Sequence, residues 1–219
     1  MKLKVLNLYA SLGGNRYLWK NCEVTAVEID PELARMYKER FPEDEVIITD
    51  AHEFLLHNFD KYDFIWSSPP CPTHSGMNNF LHSMGVIRYP DMKLYEEIIF
   101  LQHFYKGKFC VENVIPYYRP LIPAQQRGRH LYWTNFQLPK VISTRKVPSI
   151  DASKETYKNK DSMYKLIEFH KIDLSSYKGK QSKRKLANNL VDYEAGNTIF
   201  ETARQSIIQH NTKTLNLFL

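Results

Sequence analysis

Through the first 115 residues, apolar runs of strand length alternate with stretches of helical period, the pattern of a parallel sheet joined by crossover helices. Residues 4–9, 23–29, 46–49, 62–67 and 108–114 read as strands. Asp30 reads as the cap of a helix with Pro31 at its first position and Leu33, Met36, Tyr37 and Phe41 on one face. Asp50 and Glu53 have capping-box spacing at the head of a short helix through residue 59. A further helix carries Leu94, Ile98, Leu101 and Tyr105 on one stripe. Past Tyr117 the signals weaken. Residues 129–136 alternate as a strand, residues 140–185 show little hydrophobic period, and Ile199, Phe200, Ala203 and Ile207 regain helical spacing. The expected fold class is α/β, with one main domain over residues 1–136, a small region over 137–185, and a segment over 186–219 returning to the main domain.

Charge sharpens this division. The chain of 219 residues carries a net charge of +6. Residues 137–185 alone hold 13 Lys/Arg against 5 Asp/Glu, a net of +8, so the remainder is at −2. A basic segment beside a near-neutral body points to a polyanionic partner. The bland alternative is a solvated linker. Three cysteines without CxxC spacing indicate neither a disulfide framework nor a zinc ribbon, so the expected compartment is reducing. The amino-terminal apolar run is broken by Asn7 and Ser11 and is too short for a signal peptide or membrane span, so a cytoplasmic protein without membrane contact is expected.

Four clusters carry candidate chemistry. The first is the turn Tyr9, Ala10, Ser11, Leu12, Gly13, Gly14, followed by Glu28 at the end of the next strand. Glycines admit a ligand close to the backbone, and an acid there can bind both ribose hydroxyls of a nucleoside. Alone, this equally describes an ordinary strand-to-helix turn. The second is Ser67-Ser68-Pro69-Pro70-Cys71-Pro72, in which prolines stiffen the backbone before a thiol at a strand's carboxyl end. Cys110, flanked by Phe109 and Val111, reads as a structural cysteine, as does Cys22. A metal site on Cys71 and His74 lacks two evident further ligands. The third is Val111-Glu112-Asn113-Val114, an acid ending an apolar run, which otherwise reads as a solvated carboxylate. The fourth is Gln125-Gln126-Arg127-Gly128-Arg129, whose alternating arginines are expected on opposite faces of an extended segment, one facing the cleft and one bracing it. Residues 71–91, rich in Gly, Pro and polar residues, are expected to form a functional, mobile loop.

In this order the clusters resemble the C5-cytosine DNA methyltransferase family, in particular its short bacteriophage and prophage members. The resemblance covers residues 4–136. It implies a Rossmann-like class I fold using S-adenosylmethionine, with S-adenosylhomocysteine as product, and double-stranded DNA as partner. It also implies that Cys71 attacks carbon 6 of a flipped-out cytosine, that Glu112 holds and protonates N3, and that Arg129, with Arg127 nearby, serves the base oxygen. The cofactor is then held by Tyr9 to Gly14, Glu28 with Ile29, Asp50 with Ala51, Ser68, Pro70, Asn189 and Val191. DNA contacts are expected from His74, Ser75, Asn78 and Arg88 in the loop and from Lys183 and Arg184. Ser11 stands where the family has glycine and Pro72 where many members have glutamine. Gly196-Asn197-Thr198-Ile199 is a second candidate for the motif assigned to residues 188–191. Tyr157, Tyr164, Phe169 and Tyr177 are expected to pack against bases, and so small a recognition region implies a short target or help from a partner chain. Methylation of RNA cytosine, amino-group methylation and a catalytically silent DNA-binding protein are the competing readings.

Overall fold

The computed structural model describes residues 2–146, 148 and 159–216. In chain order the elements are β1 (Leu3–Leu8), β2 (Cys22–Glu28), α1 (Pro31–Arg40), β3 (Glu45–Ile48), α2 (Ala51–Asn58), a 3-10 turn at Phe59–Lys61, β4 (Phe64–Ser67), α3 (Met77–Ser83), α4 (Lys93–Phe104) and β5 (Lys108–Val114). β6 (Gln125–Arg127), β7 (His130–Thr134), α5 (Asn159–His170), α6 (Lys183–Asn189) and α7 (Tyr193–Asn216) follow. The strands form one sheet in the order β3-β2-β1-β4-β5-β7-β6. β1 to β5 pair in parallel, whereas β7 runs antiparallel to both β5 and β6. The architecture is Rossmann-like, as the family resemblance implies, and it contains the parallel sheet with crossover helices that the sequence pattern predicts.

From β1 the chain moves outward through β2 and β3, and from β4 it moves the other way to β5. The topological switch point therefore lies between β1 and β4, where open parallel sheets hold ligands beyond the strands' carboxyl ends. Helices on both faces explain why β4, Phe-Ile-Trp-Ser, is buried at every position and shows no alternation. One face packs Leu6, Leu8, Ile65 and Val111 against Leu55 of α2 and Leu94, Ile98 and Leu101 of α4. The other packs Val5, Phe64, Trp66 and Tyr132 against Ile199, Phe200 and Ala203 of α7. The Asp30 side chain accepts from the backbone N–H groups of Glu32 and Leu33, and Asp50 accepts from Glu53, so both predicted caps form.

The basic segment differs from its reading as a stretch of little period. It contains α5 and leads into α6. Leu166, Ile172, Leu174, Tyr177 and Leu186 share a core with Leu33 and Met36 of α1 and with Leu12 of the β1 turn. Tyr177 is thus buried against the body, and its hydroxyl accepts from the Gln181 backbone N–H. Phe169 lies under the Arg145 guanidinium, 3.7 Å from its ring centre. Of the aromatics assigned to base contacts, Tyr164 is exposed and Tyr157 lies outside the described residues. Residues 71–91 hold the short helix α3, and their inner half is tied down. Tyr117 N–H donates to the His74 carbonyl, Ser75 bridges to Pro116, and Asp91 N–H donates to Thr73 Oγ1. Met84, Val86, Ile87 and Tyr89 of the outer half are exposed.

Candidate active site

The turn after β1 adopts left-handed backbone at Tyr9 (φ 55°), Ser11 (φ 46°) and Gly13 (φ 66°). Glu28, buried at the end of β2, receives the Ser11 N–H on Oε2 at 2.8 Å and the Asp30 N–H on Oε1 at 3.0 Å. Burial raises its pKa, and the backbone N–H groups oppose that rise. Each carboxyl oxygen keeps a lone pair for a further donor. The neighbouring Ile29 is 65% exposed, an apolar surface beside a polar acid. Gly14 lies against the segment after α6, where an added Cβ would sit 2.5 Å from the Val191 carbonyl. Val191 thereby reaches the turn, with Asn189 exposed at the end of α6. Gly196 of α7 also packs on the turn, against Asn15. Ala51 is buried in the first turn of α2 and contributes to the core.

Between these groups and the end of β4 lies a 120 Å³ pocket lined by Tyr9, Asp50, Pro69, Pro70, His74, Asp91, Lys93 and Leu94. An acid with free lone pairs, an exposed apolar residue and a polar pocket in series fit the ribose, base and amino-acid parts of a nucleoside cofactor. The pocket is well below the ~300 Å³ usual for such ligands, so the adenosine would extend over Ile29. A 580 Å³ cavity lies at the opposite end of the sheet, at the amino ends of β4 and β5 near Asp63, Gly107 and Lys108, and contains none of the predicted residues.

Cys71 follows β4 and is half-buried. Its loop is tied to β5 by Asn113, whose Nδ2 donates to the Pro69 carbonyl at 3.0 Å. Ser68 Oγ accepts from Trp66 Nε1. Burial and then the Glu112 charge push the Cys71 thiol up, while Lys185 and Arg129 draw it down. The sequence-based expectation that a guanidinium favours the thiolate therefore holds for Arg129 alone and is outweighed. In peptide-mapped iodoacetamide labelling, the half-maximal pH for Cys71 is expected above that of a free cysteine. Arg129→Ala should raise it further and Glu112→Gln should lower it; an unmoved midpoint in both variants contradicts this electrostatic grouping.

Glu112 is buried on β5, with His130 Nε2 at 3.5 Å from its Oε1. The two arginines differ in environment, and strand alternation is not the reason. Alternation on a strand would put residues two apart on the same face. Gly128, with φ 56°, instead turns the chain between β6 and β7. Arg127 is spent on the backbone, donating to the carbonyls of Gln126, Leu138 and Pro139, whereas Arg129 is exposed. A 320 Å³ hollow lined by Arg129, His130, Tyr132, Lys140 and Arg145 opens here.

Several residues assigned to DNA contacts face inward. His74 and Asn78 are each 1% exposed. His74 Nδ1 pairs with the Tyr118 hydroxyl, and Asn78 Nδ2 donates to the carbonyls of Pro72 and Ser75, so both brace their own loop. Ser75 Oγ accepts from Met77 N–H, and Arg88 is exposed. Lys183 and Arg184 open α6, half-buried, with Leu186 and Ala187 on its buried side. Sequence reasoning missed Lys185, His130 and above all Glu97. Fully buried on α4, Glu97 accepts from the Tyr9 hydroxyl and from Ser67 Oγ and contacts His52 Nδ1 at 3.2 Å. Its position on the buried stripe of a helix is the one signal that could have found it. Among the described residues no group of three or more His, Cys, Asp or Glu is arranged to hold a metal ion, and no helix is long and apolar enough to cross a membrane.

Residues 3–114, half of the chain, match the family of C-5 cytosine-specific DNA methylases. The chain belongs to that family. Among relatives of this methylase-family chain, the human tRNA (cytosine(38)-C(5))-methyltransferase is 29% identical over 103 residues, covering 39% of this chain and 26% of that protein. The Spodoptera frugiperda protein of the same description is 30% identical over 105 residues, covering 40% and 32%. The match thus spans between a quarter and a third of those relatives' length. Solved structures that align with this chain include a putative methyltransferase, yhhF, from Escherichia coli, at 15% identity and TM-score 0.41 over 61% of this chain and 75% of that one. A mutant of Spodoptera frugiperda DNMT2 aligns at 24% identity and TM-score 0.37 over 51% and 35%. The sheet order and the helices on both faces are those of a Rossmann-like α/β fold.

Proposed function

We propose that this protein transfers a methyl group to carbon 5 of cytosine in double-stranded DNA, with Cys71 as covalent nucleophile. The observation that carries the reading is a half-buried thiol on the loop after β4, at the switch point, whose pKa is raised by burial and then by the Glu112 charge and drawn down by Lys185 and Arg129. Carbon 5 of cytosine is a poor nucleophile. Thiolate addition at carbon 6 pushes electron density into the ring, and a proton from Glu112 on N3 lowers the barrier to that addition. Arg129 stabilises charge on the base oxygen and helps the thiolate form. S-adenosylmethionine, when bound, supplies the electrophilic methyl group, with Glu28, Ile29, the β1 turn and Val191 as the residues that would hold it. Loss of the carbon 5 proton then releases the thiol. A stacked base cannot meet the thiol, so the target cytosine leaves the duplex at a cost of a few kcal/mol.

We assign residues 1–136 to catalysis, the basic region 137–185 with Arg88, Lys183 and Arg184 to the nucleic acid, and residues 186–219 to the return onto the sheet. The cationic hollow beside His130 suits a phosphate backbone. A second reading, methylation of RNA, is favoured by the tRNA description of both curated relatives. Bisulfite sequencing of total DNA and total RNA from cells expressing the parent or Cys71→Ala separates the two. New 5-methylcytosine in DNA at a short recurring sequence supports the DNA reading, marks confined to RNA support the second, and none in either overturns both.

A further inference from the structure

Glu112 and His130 meet through the register of an antiparallel pair. Tyr132 of β7 lies opposite Glu112 and His130 lies opposite Val114, so His130 is the diagonal neighbour of Glu112 on the same face of the sheet. His130 Nε2 lies 3.5 Å from Glu112 Oε1, with the two side chains 22% and 9% exposed. Among the described residues no other basic side chain is within ion-pairing distance of this carboxyl. The remaining charged or titratable groups acting on the pair are Cys71, Cys110 and Tyr132 beside Glu112 and Arg129 beside His130. Burial lowers the pKa of the imidazole and so favours its neutral form, against the pull of Glu112 and with the help of Arg129. A neutral imidazole still carries one N–H donor.

We propose that His130 is a positioning residue for Glu112: its Nε2–H holds Oε1, so that Oε2 is aimed at N3 of the target cytosine. This rests on the function proposed above. At 3.5 Å the contact is an ion-pair distance rather than a formed hydrogen bond, and such contacts tighten when a substrate completes the site. The bond is stronger to a carboxylate than to a carboxylic acid. It therefore gains strength as the proton passes from Glu112 to N3, which is the differential stabilisation that speeds a reaction.

The test uses His130→Phe, which removes the donor, and His130→Gln, which keeps an N–H in reach without an imidazole. In the free protein, titration of the Glu112 carboxyl carbon by NMR should move upward in His130→Phe, because a donor to the charged form is lost, and should stay near the parent in His130→Gln. On unmethylated plasmid DNA or total tRNA, whichever the parent methylates, single-turnover methylation should fall about tenfold or more in His130→Phe and return to within about threefold in His130→Gln. The KM for S-adenosylmethionine should hold within about twofold in both. Should His130→Phe fail to fold, His130→Ala carries the same expectations. An unmoved Glu112 titration, or a glutamine variant as slow as the phenylalanine one, overturns the inference. A parent inactive on both substrates while the titration moves as expected overturns the functional reading and leaves the contact standing.

Discussion

Cys71→Ala should abolish methyl transfer, by ~10³-fold or more, while S-adenosylmethionine binds within about threefold of the parent. The two expectations separate because the thiol and the groups fitted to the cofactor stand on different elements. Cys71 sits on the loop after β4, while Glu28 and the Tyr9–Gly14 turn stand at the ends of β2 and β1. Cys71 takes part in no side-chain hydrogen bond that positions those residues. Asn113 holds the loop through the Pro69 carbonyl, which alanine leaves in place. Methylation assays with radiolabelled cofactor, set beside calorimetric binding, read both quantities. A variant that still turns over normally removes Cys71 from the mechanism, and one that also loses the cofactor indicates a collapsed loop.

The second large effect concerns stability. Glu97→Leu should cost about 3 kcal/mol or more, read as a fall in the urea midpoint with an unchanged slope. Leucine fits the apolar stripe of α4 but leaves the Tyr9 hydroxyl, Ser67 Oγ and His52 without their acceptor. Burial, the largest reason that Tyr9 stands far above the ordinary range of a phenol, persists in the variant and disfavours ionisation of the unpaired hydroxyl. Since Tyr9 and Ser67 end the two strands of the switch point, the cofactor cleft should loosen along with the fold. Glu97→Gln keeps an acceptor and should recover more than half of the stability. A leucine variant within 1 kcal/mol of the parent would show that this network contributes little.

What could be read in advance follows from where each residue finds its partners. α1 announces itself because Asp30 and Pro31 cap it locally and its apolar face repeats within one helix. β4 and β5 announce themselves because strands covered on both faces carry consecutive apolar residues, Phe64-Ile65-Trp66 and Phe109-Cys110-Val111. The basic segment hid α5 and α6 because Leu166, Leu174 and Leu186 are spaced irregularly and are buried only against α1 and Leu12. β6 is three polar residues, a strand only because β7 pairs with it. The Pro-Pro-Cys and Glu-Asn-Val runs were legible as the ends of β4 and β5. His130 and Lys185 were not, since their bearing on Glu112 and Cys71 arises from strand register and from the return of a distant segment. His74 and Asn78 look like polar loop residues in sequence, and only the folded loop turns them inward.

The whole account depends on a cysteine that adds to a cytosine ring. The most direct measurement incubates the parent and Cys71→Ala with 5-fluorocytosine DNA and, in parallel, 5-fluorocytosine RNA, each with S-adenosylmethionine, followed by denaturing electrophoresis and mass spectrometry. Fluorine at carbon 5 blocks the final elimination. The account predicts a denaturant-resistant adduct on DNA, attached through Cys71 and absent from the alanine variant. An adduct on RNA alone would move the enzyme to the other substrate. An adduct through any other residue, or none on either nucleic acid from a protein that methylates cytosine, would contradict it.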